Sequence, residues 1–126
     1  MQNNKQNSKK KQEVNIKETV WYNSKDWTFR ENIKRKQNNK ESHPSLVVGE
    51  NKNTYANLGL THSAKRGHHK NTKLTKNPNP RDKKDSYVRD DLQFDEKKLL
   101  KRVLTDFKKL PKEDVEKINK IINKKR

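Results

Sequence analysis

Ten consecutive residues hold most of the side chains in this sequence that can do chemistry. Thr61-His62-Ser63-Ala64-Lys65-Arg66-Gly67-His68-His69-Lys70 brings together two hydroxyls, three imidazoles and three fixed cations. An imidazole gives or takes a proton near neutral pH. Arg and Lys stabilise negative charge that builds on a phosphoryl group, and a Thr hydroxyl donates to a phosphate oxygen. These are the needs of RNA cleavage: the 2′-hydroxyl loses a proton, the charge on phosphorus is met, and the departing 5′-oxygen gains a proton. On that reading Thr61 and His62 are candidate catalytic residues. His43 joins them if its strand pairs with the one ending at Thr61. The same residue types also make a plain phosphate-binding surface, a role that Lys65, Arg66, His68, His69 and Lys70 can fill with no chemistry at all. No Cys accompanies His68-His69 and no carboxylate stands near them at ligand spacing, so neither a metal site nor a cofactor is expected. Among the aromatics, Tyr55 is the favoured platform for stacking on an unpaired base. Trp21, Tyr22, Trp27, Phe29 and Tyr87 are alternatives, and Trp21 and Phe94 are expected in the core.

The elements that must position these residues are legible to different degrees. His43-Pro44-Ser45-Leu46-Val47-Val48 reads as a strand entered through a proline. Gly49-Glu50-Asn51-Lys52-Asn53 is turn chemistry. From Thr54 to Thr61 the pattern alternates, with Ala56, Leu58 and Leu60 on one face and Tyr55, Asn57 and Gly59 on the other. Together these predict a β-hairpin. Thr19-Val20-Trp21-Tyr22, Lys73-Leu74-Thr75 and Ser86-Tyr87-Val88 are short strand candidates, and residues 62–73 a basic loop. Residues 30–42, with Lys34-Arg35-Lys36, look like a helix or a linker. From Asp95 the period turns helical. Leu99, Leu100, Val103, Leu104 and Phe107 form one stripe, with Asp95 and Glu96 suited to the start of a helix. Leu110-Pro111 ends it, and a second helix follows with Val115, Ile118, Ile121 and Ile122 on its apolar face.

Composition limits the function classes. Of 126 residues, 33 are Lys or Arg and 16 Asp or Glu, a net charge of +17, and only 25% are hydrophobic. The apolar share is about half the usual one, enough for one small core. A large enzyme with a deep cavity is excluded. No apolar run approaches the ~20 residues of a spanning helix, so no membrane role is expected. The polar N-terminus resembles no secretory leader and the chain has no Cys, so disulfides are excluded and cytoplasmic residence is expected. The charge is spread along the whole chain and points to a polyanionic partner, most simply nucleic acid.

The order of several short motifs resembles the PemK/MazF family of bacterial toxins. They are His43-Pro44-x-Leu46-Val47-Val48, a strand ending in Leu60-Thr61, then Asp85-Ser86-x-Val88-x-x-Asp91-Leu92-x-x-Asp95-x-x-x-Leu99, and finally Leu110-Pro111-x-Glu113-Asp114-x-x-x-Ile118-x-x-x-Ile122. The resemblance implies an α+β fold: a small SH3-like β-barrel over residues 42–126 with one or two C-terminal helices. A disordered basic tail over residues 1–13 and an extension over 14–41 would precede it. It also implies metal-independent cleavage of single-stranded RNA, a homodimer, and neutralisation by an acidic antitoxin protein. The family keeps an Arg before the first-strand Pro and a Thr at the end of the next strand. Those places fall on His43 and Thr61, so the Arg is here a His. The departure leaves a second class open: a non-catalytic, basic nucleic-acid-binding accessory protein of a mobile element.

Overall fold

The computed structural model describes residues 13–37 and 41–126, so the expected basic tail lies, except for Glu13, outside the described residues. A helical segment over 13–18 (α1) leads into β1 (Val20–Trp21), a 3-10 turn at Ser24–Asp26 and the two longest strands, β2 (Thr28–Gln37) and β3 (Glu41–Glu50). β4 (Thr54–Thr61) completes the central antiparallel unit. Then come a two-stranded hairpin of β5 (Lys65–Arg66) and β6 (His69–Lys70), and the short strands β7 (Thr72–Lys73) and β8 (Tyr87–Val88). β9 (Gln93–Glu96) passes through a 3-10 turn at Lys97–Leu99 into β10 (Leu100–Val103), and α2 (Lys112–Lys125) closes the chain. All pairings are antiparallel, in the order β10-β2-β3-β4-β8-β7, with β1 on β3 and β9 on β4. The fold is α+β, one mostly antiparallel sheet with a C-terminal helix, and the sheet is not closed into a barrel. Among the described residues no helix is long and apolar enough to cross a membrane.

The predicted hairpin is present. β3 and β4 pair with Ser45 opposite Gly59 and Leu46 opposite Leu58. The register then shifts by one residue between Val47 and Gly49, and both Val47 and Val48 are buried there. Such a bulge increases local twist and bends the strand. It lies where β1 docks. A Cβ on Gly49 would come within 2.8 Å of the Val20 carbonyl oxygen, so glycine lets β1 approach this closely. β3 begins at Glu41, ahead of the proline expected to open it.

Two expectations are overturned. Residues 30–37 are strand and not helix or linker. Phe29 is buried on one face of β2, while Arg30, Asn32 and Lys34 lie on the other and find polar partners. The alternation is real, but five charges in eight residues mask it. The helix expected from Asp95 to Phe107 is instead β9, a 3-10 turn and β10. Leu100 is buried opposite Asn32, whereas Val103 is 40% exposed. The Leu104 N–H donates to the Phe29 carbonyl at 2.6 Å, and the rings of Phe29 and Phe107 sit 5.1 Å apart. Pairing with β2 outweighs a helical propensity worth a few tenths of a kcal/mol per residue. Asp95 therefore starts no helix. It is buried between Asn57 Nδ2 at 3.1 Å and Lys34 Nζ at 3.3 Å.

The core lies on one face of the sheet. Phe29, Leu46, Val48, Ala56, Leu58, Leu60 and Val88 pack with Leu74 and with Ile118, Ile121 and Ile122 of α2. Trp21 and Phe94 pack against this cluster as expected. α2 begins after Pro111 and carries Glu113 and Asp114 in its first turn and Lys124 and Lys125 in its last, the signs that suit its dipole. Asp114 is fully buried and ties α2 to the segment after β7. It accepts from Thr75 N–H at 2.9 Å, Thr75 Oγ1 at 3.0 Å and Lys76 N–H at 3.4 Å, with Lys117 Nζ at 3.6 Å. Asp114→Ala removes the acceptor that ties these part-buried donors to α2 and leaves a cavity where the carboxylate was buried. It is expected to cost about 2–4 kcal/mol and lower the melting temperature by roughly 10–20 °C, with Asp114→Asn intermediate, as read by thermal circular dichroism.

Candidate functional site

β4 ends at Thr61, and what surrounds that end follows from register. Ser45 stands opposite Gly59, so two residues further along His43 lies across from Thr61 on the same face. On the other side of β4, Leu60 pairs with Val88 and Thr61 with Tyr87, while the Arg89 N–H donates to the Gly59 carbonyl at 2.9 Å. Val88 is buried in the core, so its neighbours Tyr87 and Arg89 face the other way, toward Thr61 and His43. Thr72 opposite Val88 then sets Asn71 across from Arg89. The result is a cleft of about 470 Å³ at the end of β4, lined by His43, Thr61, Ser63, Lys65, Arg66, Asn71 and Arg89 around Leu60.

The structure thus brings together four of the residues singled out in the sequence: His43, Thr61, Lys65 and Arg66. Thr61 Oγ1 accepts from the Ser63 N–H at 3.2 Å, which leaves its own proton to donate. Asn71 Nδ2 donates to the Ser63 carbonyl at 3.0 Å, while its Oδ1 is buried with no partner. Arg89 is held by Asp91 at 3.3 Å, with its side chain 19% exposed. Arg89 and Asn71 were not anticipated, although the alternation around buried Val88 carries the signal for Arg89.

Lys65 and Arg66 reach the cleft from a hairpin hidden in what reads as a basic loop. Gly67, at φ 59°, opens a two-residue turn between β5 and β6, a conformation that suits glycine. The pairing sets Lys65 opposite Lys70 and Arg66 opposite His69. Like charges in directly opposed positions disfavour a sheet. Among the described residues, no carboxylate lies within 4.0 Å of Lys65, Arg66 or Lys70 to offset this. All six residues from Lys65 to Lys70 are exposed. A polyanion would relieve the repulsion.

Other sequence candidates lie elsewhere. His62 does not line the cleft, and its Nε2 lies 2.5 Å from Asp82 Oδ2. His68, His69 and Lys70 lie on the hairpin and do not line the cleft. Tyr55 is six residues along β4 from Thr61, a span of about 20 Å. There it lies between the Arg30 guanidinium at 4.9 Å and Lys97 Nζ at 5.3 Å, beside Glu50 and Tyr22. Burial, reinforced by the Glu50 charge and hydrogen bond, pushes the Tyr22 hydroxyl up to about 12.

No family model, curated protein or solved structure matches this chain.

Two titrations check the geometry. Burial alone would raise Asp82, but hydrogen bonds from His62, the Lys84 N–H and Asn77 overcome it and hold the carboxyl below its ordinary value. Its contribution to stability is therefore present above the unfolded-state value and lost as pH falls through the folded one. In carboxyl-detected NMR, His62→Ala is expected to move the Asp82 midpoint upward. In an ultraviolet titration, one tyrosinate step is expected near pH 12, and Tyr22→Phe should remove it. Folding stability should decline between pH 10 and 12 in the wild type as this group ionises.

Proposed function

We propose that the cleft at the end of β4 holds the phosphate backbone of single-stranded RNA and cuts it, as in a PemK/MazF-like toxin. One observation carries the reading. Residues from β3, β4, the β5–β6 hairpin and the end of β8 meet in one cleft, and its polar lining includes two hydroxyls, an imidazole and three cations. In this reading Lys65, Arg66 and Arg89 meet the charge on phosphorus. Thr61 donates to a phosphate oxygen, and His43 moves the proton of the attacking 2′-hydroxyl. Bond formation from O2′ to phosphorus and loss of the 5′-oxygen leave a 2′,3′-cyclic phosphate and a 5′-hydroxyl. The SH3-like barrel belongs to the same reading. It is supported by β9 on β4 running through a three-residue turn into β10 on β2, which brings the two ends of the sheet toward one another. A homodimer, an acidic antitoxin and a cytoplasmic site of action come with the reading as well.

A second reading, a nucleic-acid-binding accessory protein that does not cut, has its own observation. His62 is engaged by Asp82, so His43 is the one imidazole lining the cleft. Proton removal and proton donation would then fall to a single group or to solvent. One experiment separates the two readings. Purified protein is incubated with single-stranded RNA in EDTA. Cleavage that falls 10²–10⁴-fold in His43→Ala, with RNA affinity retained, is the expected result. Binding with no cleavage by the wild type establishes the second reading. In either case log affinity against log salt should have a slope of about −2 for three phosphate contacts, and Arg66→Ala should make it shallower by about 0.7. Affinity that does not change with salt would overturn both readings.

A further inference from the structure

The polar face of the sheet continues past the cleft and beyond Thr61. Register carries one polar row across five strands on the same face: Asn32 of β2, His43 of β3, Thr61 of β4, Tyr87 of β8 and Lys73 of β7. Thr61 pairs directly with Tyr87, and Tyr87 with Lys73, so each step is about 5 Å. Tyr87 is half-buried, is not part of the apolar core and faces away from it, because its neighbour Val88 fills the core position. It stands directly across from Thr61, the residue that would hold the phosphate, and is partly open to solvent. Lys73 lies one strand beyond, its side chain 60% exposed and loosely paired with an equally exposed Asp85 at 3.5 Å. The other carboxylates along this edge are already engaged, Asp90 by Thr72 Oγ1 at 2.9 Å and Asp91 by Arg89.

We infer that Tyr87 is the stacking platform for the base flanking the phosphate in the cleft, and that Lys73 takes the next phosphate. This rests on the RNA reading above and deepens it. The bound strand runs from the hairpin across β4 toward β7, and its bases must be unpaired, since a base inside a duplex cannot lie on a ring. Tyr55, the aromatic favoured from the sequence, is held between Arg30 and Lys97 at the far end of β4 and takes no part.

The test uses the full chain and a fluorescently labelled 12-nucleotide 2′-O-methyl RNA, which binds without being cut. A second oligomer of the same length carries no bases. Circular dichroism confirms that each variant is folded. For the base-bearing oligomer, Tyr87→Ala is expected to weaken binding about tenfold and Tyr87→Phe to leave it unchanged, because stacking uses the ring and not the hydroxyl. For the base-free oligomer, neither substitution should matter. Lys73→Ala should weaken binding of both oligomers alike and make the salt dependence shallower. Tyr87→Ala binding as tightly as wild type, while Arg66→Ala weakens both oligomers, overturns the stacking role and leaves the cleft standing. Tyr87→Phe losing as much as Tyr87→Ala overturns it too. If the wild type binds neither oligomer, the RNA reading itself falls and this inference falls with it.

Discussion

The pairing of Ser45 with Gly59 is the constraint from which the rest of the arrangement follows. Side chains in a strand alternate between two faces, so a slip of β4 by one residue against β3 would send Leu58 and Leu60 to the polar side. It would also turn Thr61 toward the core and away from His43. With the register as it is, the apolar face meets α2 and the polar face carries the cleft. The two functions of the hairpin, to build a core and to present a site, are thus set by one choice. The bulge at Val48 then allows the far half of β3 to bury both Val47 and Val48 while the near half keeps the site in register.

A chain with so few apolar residues cannot rely on the core alone. Its buried polar groups show what supplements it. Asn32 and Ser45 bond to each other, Asn57 bonds to Asp95, and Asp114 collects the backbone and side chain of the segment after β7. A buried carboxylate is costly when unpaired, and with three or more donors it specifies a single arrangement of the elements it joins. Asp114 joins α2 to the stretch leading from β7, and β7 carries Lys73 at the edge of the polar row. Packing at the back of the sheet and the position of a cation at the front are therefore mechanically linked.

What was legible in the sequence follows from where local pattern and tertiary pairing agree. The β3–β4 hairpin was legible because the alternation from Thr54 to Thr61 and a Gly-Glu-Asn-Lys-Asn turn region point the same way. α2 was legible because proline, acidic first turn and isoleucine spacing coincide. β2 was hidden because its polar face carries Arg30, Asn32 and Lys34, whose partners Tyr55, Ser45 and Asp95 are distant in sequence. The stretch after Asp95 misled because Leu99, Leu100, Val103 and Leu104 fit a helix as well as they fit a turn and a strand, and only the free edge of β2 decides between them. The site divided in the same way. Thr61, His43, Lys65 and Arg66 were nominated by residue type, whereas Arg89 and Asn71 enter through pairing of β8 with β4 and β7; alternation around Val88 gives the face of Arg89, but no local pattern discloses which strands it meets.

The charge takes on a more specific meaning from this geometry. Much of the +17 is solvated surface, and surface charge alone says only that polyanions will approach. The β5–β6 hairpin is different, because it places cation opposite cation in a two-stranded unit that has no core of its own. Lys65 opposite Lys70 is a like-charge pair, which disfavours the hairpin's own pairing. Lys65 and Arg66 of this hairpin already line the cleft beside Thr61. The positive charge at the end of β4 is thus set by the hairpin's pairing together with Arg89, and not by the charge of the chain as a whole.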